Sequence, residues 1–207
     1  QHIVSEEDVN TGDTVEIGFN VSDNIGVNHS LTEFNITGNT SAELTENDNW
    51  YNYTLDVPEE SLDDIDFNAT FYDDAGNYKV SDNETINVSD DIEPSYNQLN
   101  EVESANTSEN ITIEFNATDN IGVETYNITV DGEEYQMENN SGNYTYNISI
   151  PASDSGTLTS SITYNCTFGD AAGNINSTGD VGIDVSILPI ADFSANVTRG
   201  TTPLGVE

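Results

Sequence analysis

Two sets of amide- and oxygen-bearing residues could do chemistry in this sequence. The larger is a series of 18 Asn-x-Ser/Thr sequons, at Asn20, Asn28, Asn35, Asn39, Asn52, Asn68, Asn83, Asn87, Asn106, Asn110, Asn116, Asn127, Asn139, Asn143, Asn147, Asn165, Asn176 and Asn196. Such a triplet accepts an N-linked glycan on the side-chain amide nitrogen, outside the cytoplasm. For 28 asparagines at this Ser and Thr content, chance would supply roughly 6. Strand periodicity explains part of the excess, because outward positions fall at i and i+2 and suit both Asn and Thr. Asn is otherwise depleted in strands, however. Glycosylation and plain surface patterning therefore stand side by side as readings.

The second set is acidic. Asp119 and Asn120 open a DNIGV segment, Asp170 and Asn174 bracket DAAGN, and Asp90, Asp91 and Glu93 lie just before Pro94. Carboxylate and amide oxygens are the ligands of Ca²⁺, which takes 6–8 of them. These seven residues form a candidate calcium site, provided the chain brings them together. The competing reading is structural, since Asp, Asn and Gly are ordinary turn formers. Nothing comparable points to catalysis. His2 and His29 do not recur in the repeat described next, and Cys166 replaces Ala69 there, as a small core residue would. No nucleophile–base pair, carboxylate dyad with a histidine, or phosphate loop is legible, so a noncatalytic role is expected. Trp50, with Tyr51, is expected to cap the core rather than to stack on a sugar.

An internal repeat supplies the elements that must position these residues. TVEIGFNVSDNIGV (14–27) returns as NITIEFNATDNIGV (110–123), YNYTLDVP (51–58) as YTYNISIP (144–151), and FNATFYDDAGN (67–77) as YNCTFGDAAGN (164–174). Copies of one module are therefore expected at 1–91 and 92–187, with Pro94 and Pro189 in the linkers. A further unit begins in 188–207. The matched segments alternate apolar and polar residues: Ile111, Ile113, Phe115 and Ala117 oppose Thr112, Glu114, Asn116 and Thr118. That is the period of half-buried antiparallel strands. Asp131-Gly132 marks a hairpin turn, and Glu59 to Ile65 could form one helical turn. About seven strands per copy give an all-β chain: tandem immunoglobulin-like β-sandwiches, with the first part of a third β-sandwich module at the C-terminus. In such a sandwich the DNIGV and DAAGN loops share one end, the end at which the linker enters.

Charge then excludes whole classes of partner. The 207 residues carry 39 Asp plus Glu against 2 Lys plus Arg, a formal charge of −37. Nucleic acid and anionic membranes both require basic residues that are lacking here. Ion pairs can add little, so stability must come from apolar burial and sheet hydrogen bonds. Added salt, by screening self-repulsion, is expected to stabilise the fold. No apolar run approaches the ~20 residues of a membrane span. The opening at Gln1 without Met suggests an interior piece of a longer chain.

The recurring DNIGV and D-x-A-G-N segments resemble the Ig-like repeats of bacterial and archaeal cell-surface, S-layer-like proteins. PIADFSANVTRGTTPLGVE (189–207) looks like the start of a PKD domain, a β-sandwich module common on archaeal surfaces. The resemblance implies a noncatalytic extracellular role in a glycoprotein of a surface lattice, stalk or filament. Its partners would be neighbouring modules or further copies of the same protein. An adhesin binding carbohydrate or protein, or the accessory spacer of a large secreted hydrolase, is the alternative.

Overall fold

In the computed structural model, residues 7–37, 42–152 and 161–186 are described in full, together with the backbone of 2–4 and 39–41. The expected start of a further module at 188–207, and the side chains of Asn39 and Asn196, lie outside the described residues.

The strands fall into sets that repeat one another. In the first, β1 (His2–Val4), β3 (Thr14–Asn20), β7 (Trp50–Asp56) and β6 (Thr45–Asn47) make one sheet, in the order β1-β3-β7-β6. The facing sheet has the order β2-β10-β8-β4-β5, from β2 (Asp8–Asn10), β10 (Glu84–Ser89), β8 (Ile65–Tyr72), β4 (Glu33–Ile36) and β5 (Asn39–Ala42), with β9 (Tyr78–Val80) also on β8. The second set follows suit. Its smaller sheet is β11-β13-β17-β16, from β11 (Ser95–Gln98), β13 (Asn110–Thr118), β17 (Asn143–Ser149) and β16 (Glu138–Asn140). Its larger sheet is β12-β20-β18-β14-β15, from β12 (Ser104–Asn106), β20 (Val181–Ser186), β18 (Ser161–Asp170), β14 (Val123–Val130) and β15 (Glu133–Gln136), with β19 (Ile175–Ser177) also on β18. Pairing is antiparallel except for β2 with β10 and β12 with β20. The chain is thus a tandem of β-sandwiches, with ten strands in each among the described residues rather than seven. The short strands β6 and β9, with β15 and β16, are exposed throughout and carry no burial alternation.

Alternation decides what is inside. In β13 the burial pattern inverts at every residue from Asn110 to Thr118, except that Glu114 is only half-exposed. Each sandwich closes over its own core. The first packs Val15, Ile17, Phe19, Phe34, Tyr51, Phe67 and Ile86, with Phe19 edge-on to Phe34 and to Phe67 at centroid distances of 5.8 and 6.2 Å. The second packs Ile113, Phe115, Ile128, Tyr144, Tyr164, Cys166, Phe168 and Ile183. Each buried Phe or Ile contributes about 1.5–3 kcal/mol relative to exposure. Cys166 occupies the register of Ala69: it pairs with Ile128 as Ala69 pairs with Phe34, and both are fully buried.

Trp50 departs from expectation. It is half-buried on the outward side of β7, in line with Asn52, while Tyr51 points into the core. Its ring lies over Gly18, where an added Cβ would stand 3.4 Å from the indole. The missing side chain at Gly18 thus makes the seat for Trp50. The turn expected at Glu59 to Ile65 is not helical, and a single 3-10 turn, His29–Leu31, is present among the described residues. It arises because DNIGV is followed differently in the two sandwiches. Val123 pairs with Asp170 and runs straight into β14. Val27 makes the equivalent bridge to Asp73, and the chain then detours before β4.

Candidate functional site

The loop after β13 and the loop after β18 meet at one end of the second sandwich, where the linker from β10 enters. Each loop is built on an aspartate. Asp119 Oδ1 accepts the backbone N–H groups of Ile121 and Gly122 at 2.9 and 3.2 Å. Asp170 Oδ1 accepts those of Gly173 and Asn174 at 2.7 and 2.9 Å, and its Oδ2 accepts the Asn174 amide at 2.8 Å. Gly122 and Gly173 have φ of 98° and 97°, which L side chains rarely adopt. The first sandwich carries the same device: Asp23 binds the Ile25 N–H, and Asp73 binds those of Ala75 and Asn77. These residues are therefore turn formers in both copies.

In the second sandwich the loops also grip the linker. Asn120 Nδ2 donates to Asp90 Oδ1 at 2.7 Å, to the Glu59 carbonyl at 2.9 Å and to Thr11 Oγ1 at 3.1 Å. Asn174 Nδ2 donates to the Asp90 carbonyl at 3.0 Å and to its Oδ2 at 3.2 Å. The Thr11 hydroxyl donates to Asp90 Oδ1. Burial opposes the charge on Asp90. Donation from Thr11, Asn120 and the Ile92 N–H outweighs that and holds its pKa below the usual carboxylate value.

The result is a cluster of carboxylates. Oxygens of Asp90, Asp119 and Asp170 all lie within 4.8 Å of one another, with Asp90 7% and Asp170 5% exposed. Their hydrogen-bond partners are hydroxyl, amide and backbone groups, with no lysine or arginine among them. Asp119 Oδ2 and Asn120 Oδ1 are shut off from solvent and have no donor. Of the seven residues singled out in sequence, Asp90, Asp119, Asn120, Asp170 and Asn174 are brought together. Asp91 and Glu93 are exposed and outside the cluster, and Asp91 accepts the Asn10 amide at 3.1 Å. Sequence reasoning missed Thr11 and the Glu59 carbonyl. The recurrence of Asn10-Thr11 as Asn106-Thr107, each buried at its threonine, was the available signal for the first.

None of the described sequon asparagines is buried. Asn20, Asn83, Asn87, Asn110, Asn116, Asn139 and Asn147 are exposed, whereas Asn28, Asn35, Asn52, Asn68, Asn106, Asn127, Asn143, Asn165 and Asn176 are half-buried. Many spend the amide nitrogen on the protein. Asn35 on β4 donates to Asn68 on β8, and Asn68 donates to Asn83 in the loop before β10. Asn176 donates to the Pro94 carbonyl at 2.9 Å. Asn83, Asn110, Asn139 and Asn147 instead fix the amide through Oδ1, which accepts from Asn68, Ser149, Gly142 and Thr112. All four of these residues are exposed.

Topology and core together define a tandem of Ig-like β-sandwich modules. Residues 94–162, roughly a third of the chain, match the family described as the bacterial Ig domain. No curated protein matches the chain significantly. Among solved structures, it is similar to the fibronectin(III)-like modules of Clostridium thermocellum CbhA (15% identity, 94% of this chain and 100% of that one, TM-score 0.41). It is also similar to the Yersinia pseudotuberculosis adhesin InvE (16% identity, 88% of this chain and 58% of that one, TM-score 0.45). A third likeness is to the N-terminal Ig1-2 module of the Drosophila receptor protein tyrosine phosphatase DLAR (7% identity, 89% and 98%, TM-score 0.34). No helix among the described residues is long and apolar enough to cross a membrane.

Proposed function

We propose that this chain is a noncatalytic extracellular segment of a glycosylated surface protein of archaeal, S-layer-like type, and that it acts as a stiff spacer in a lattice, stalk or filament. The observation that carries this reading is the grip on Asp90. A linker residue accepts amide hydrogens from both loops of the second sandwich, and Asn120 reaches on to Thr11 and Glu59 of the first. Consecutive modules joined in this way transmit orientation as well as distance. Partners would be neighbouring modules of PKD or Ig-like kind, or further copies of the same protein. An adhesin would want a continuous exposed aromatic surface, but among the described residues the exposed aromatics Tyr78 and Tyr135 stand on different modules. The spacer reading is accordingly preferred.

The glycan coat belongs to the same proposal. Attachment needs a reachable amide nitrogen, which favours Asn83, Asn110, Asn139 and Asn147 over asparagines whose nitrogen is donated to a neighbour. Glycopeptide mass spectrometry on protein taken from its native surface tests this. Sugar on these four before Asn35, Asn68 or Asn176 is the expected result. A wholly unmodified chain would remove the coat from the account.

A further inference from the structure

Charge accounting at the junction leaves a deficit. Three carboxylates sit within 4.8 Å of one another, two of them more than nine-tenths buried, and among the described residues no basic side chain touches them. Buried charges persist when paired or bound to metal, and like charges at such range disfavour one another. Turn geometry uses both oxygens of Asp170 but only Oδ1 of Asp119. Asp119 Oδ2 is left over, sealed from water and without a donor, as is Asn120 Oδ1 in the same loop. An unsatisfied buried oxygen of this kind costs about 1–3 kcal/mol, more when charged. The equivalent loop in the first sandwich makes the comparison: Asp23 and Asn24 are exposed there, and water can serve their oxygens.

We propose that one Ca²⁺ binds at this junction, held by the carboxylates of Asp90, Asp119 and Asp170. The donor set is all oxygen and carries three negative charges. It is drawn from irregular loops that can adjust to an ion of 6–8 ligands, which suits Ca²⁺ better than the strictly octahedral Mg²⁺. Because the ligands come from the linker and from both loops, the ion would tie together the same parts that the amides of Asn120 and Asn174 already hold. The proposal rests on the spacer reading and adds the cation to it.

Isothermal titration of CaCl₂ into the whole chain tests it, with MgCl₂ as the second arm. The expected result is one saturable Ca²⁺ site with a dissociation constant on the order of 10⁻⁴–10⁻³ M and weaker binding of Mg²⁺. Asp119→Asn keeps the turn-forming Oδ1 and should weaken Ca²⁺ at least tenfold. Asp23→Asn, in the solvated counterpart loop, should leave binding unchanged and so controls for diffuse attraction to 39 acidic residues. Absence of a saturable site, or equal effects of both variants, would overturn the proposal. No calcium site in a chain whose modules still share one orientation would remove the cation alone. Modules that tumble independently in CaCl₂ would remove the spacer reading with it.

Discussion

At Cys166 the sulfur is fully buried, and burial pushes its pKa up to about 12. A thiol held neutral in the core is a poor nucleophile, since the thiolate is the reactive form. Iodoacetamide at neutral pH should modify Cys166 only after denaturation, and rapid labelling of the native chain would contradict the core assignment. The unfolded thiol ionises near ~8.5. The stability linked to this burial is therefore complete below that pH and is lost as the pH climbs toward 12. Asp73 acts at the other end of the scale. The Asn77 amide lowers its pKa, burial opposes this, and the N–H groups of Asn77, Ala75 and Gly76 add to the lowering. Its contribution is present above the unfolded value of ~3.9 and disappears as the pH falls through the lower folded value. Denaturation measured against pH should show a shallower acid limb in Asp73→Asn. At this scale Cys166 was legible as a core residue and Asp119 and Asp170 as turn formers, because the repeat set each beside a counterpart. It misjudged Trp50, whose outward seat depends on the absence of a side chain at Gly18 across the strand pair. Asp91 and Glu93 were grouped with Asp90 by adjacency, but linker geometry turns only Asp90 toward the second module.

Among elements, the long central strands were the legible ones. Strands such as β3, β8, β13 and β18 have one face in the core, so burial imposes the period-two pattern that a sequence can display. The short pieces β6, β9, β15 and β16 are exposed throughout, and nothing in their side chains separates them from loop. The hairpin from β14 to β15 shows how little sequence can suffice. Asp131 and Gly132 have φ of 48° and 90°, the pair of positive values that a two-residue turn matched to strand twist requires. A Cβ at Gly132 would meet nothing within 4 Å, so a substitution there probes backbone conformation alone. Gly132→Val should cost about 1–3 kcal/mol, read as a lower urea midpoint with an unchanged slope. A neutral result would mean that the turn relaxes to another type.

At the scale of the molecule, the described residues form two cores and one gripped linker. Stability resides in the cores, because 39 acidic residues face only 2 basic ones and surface pairing has little to offer. Any rigidity between modules must then come from the junction, where neutral amides do the holding. The end of the sandwich at which the loops meet the linker was legible in sequence, since strand order alone places them there. The participation of Thr11 and the Glu59 carbonyl was not, because their contacts join residues that stand 109 and 61 positions from Asn120 and lie on the other module. Residual dipolar couplings on the aligned chain, in millimolar CaCl₂, test the central claim most directly. One alignment tensor should fit both modules in the native chain, and separate tensors should be needed for Asn120→Ala, which keeps both cores and loses the bridge. Two independent tensors in the native chain would contradict the account.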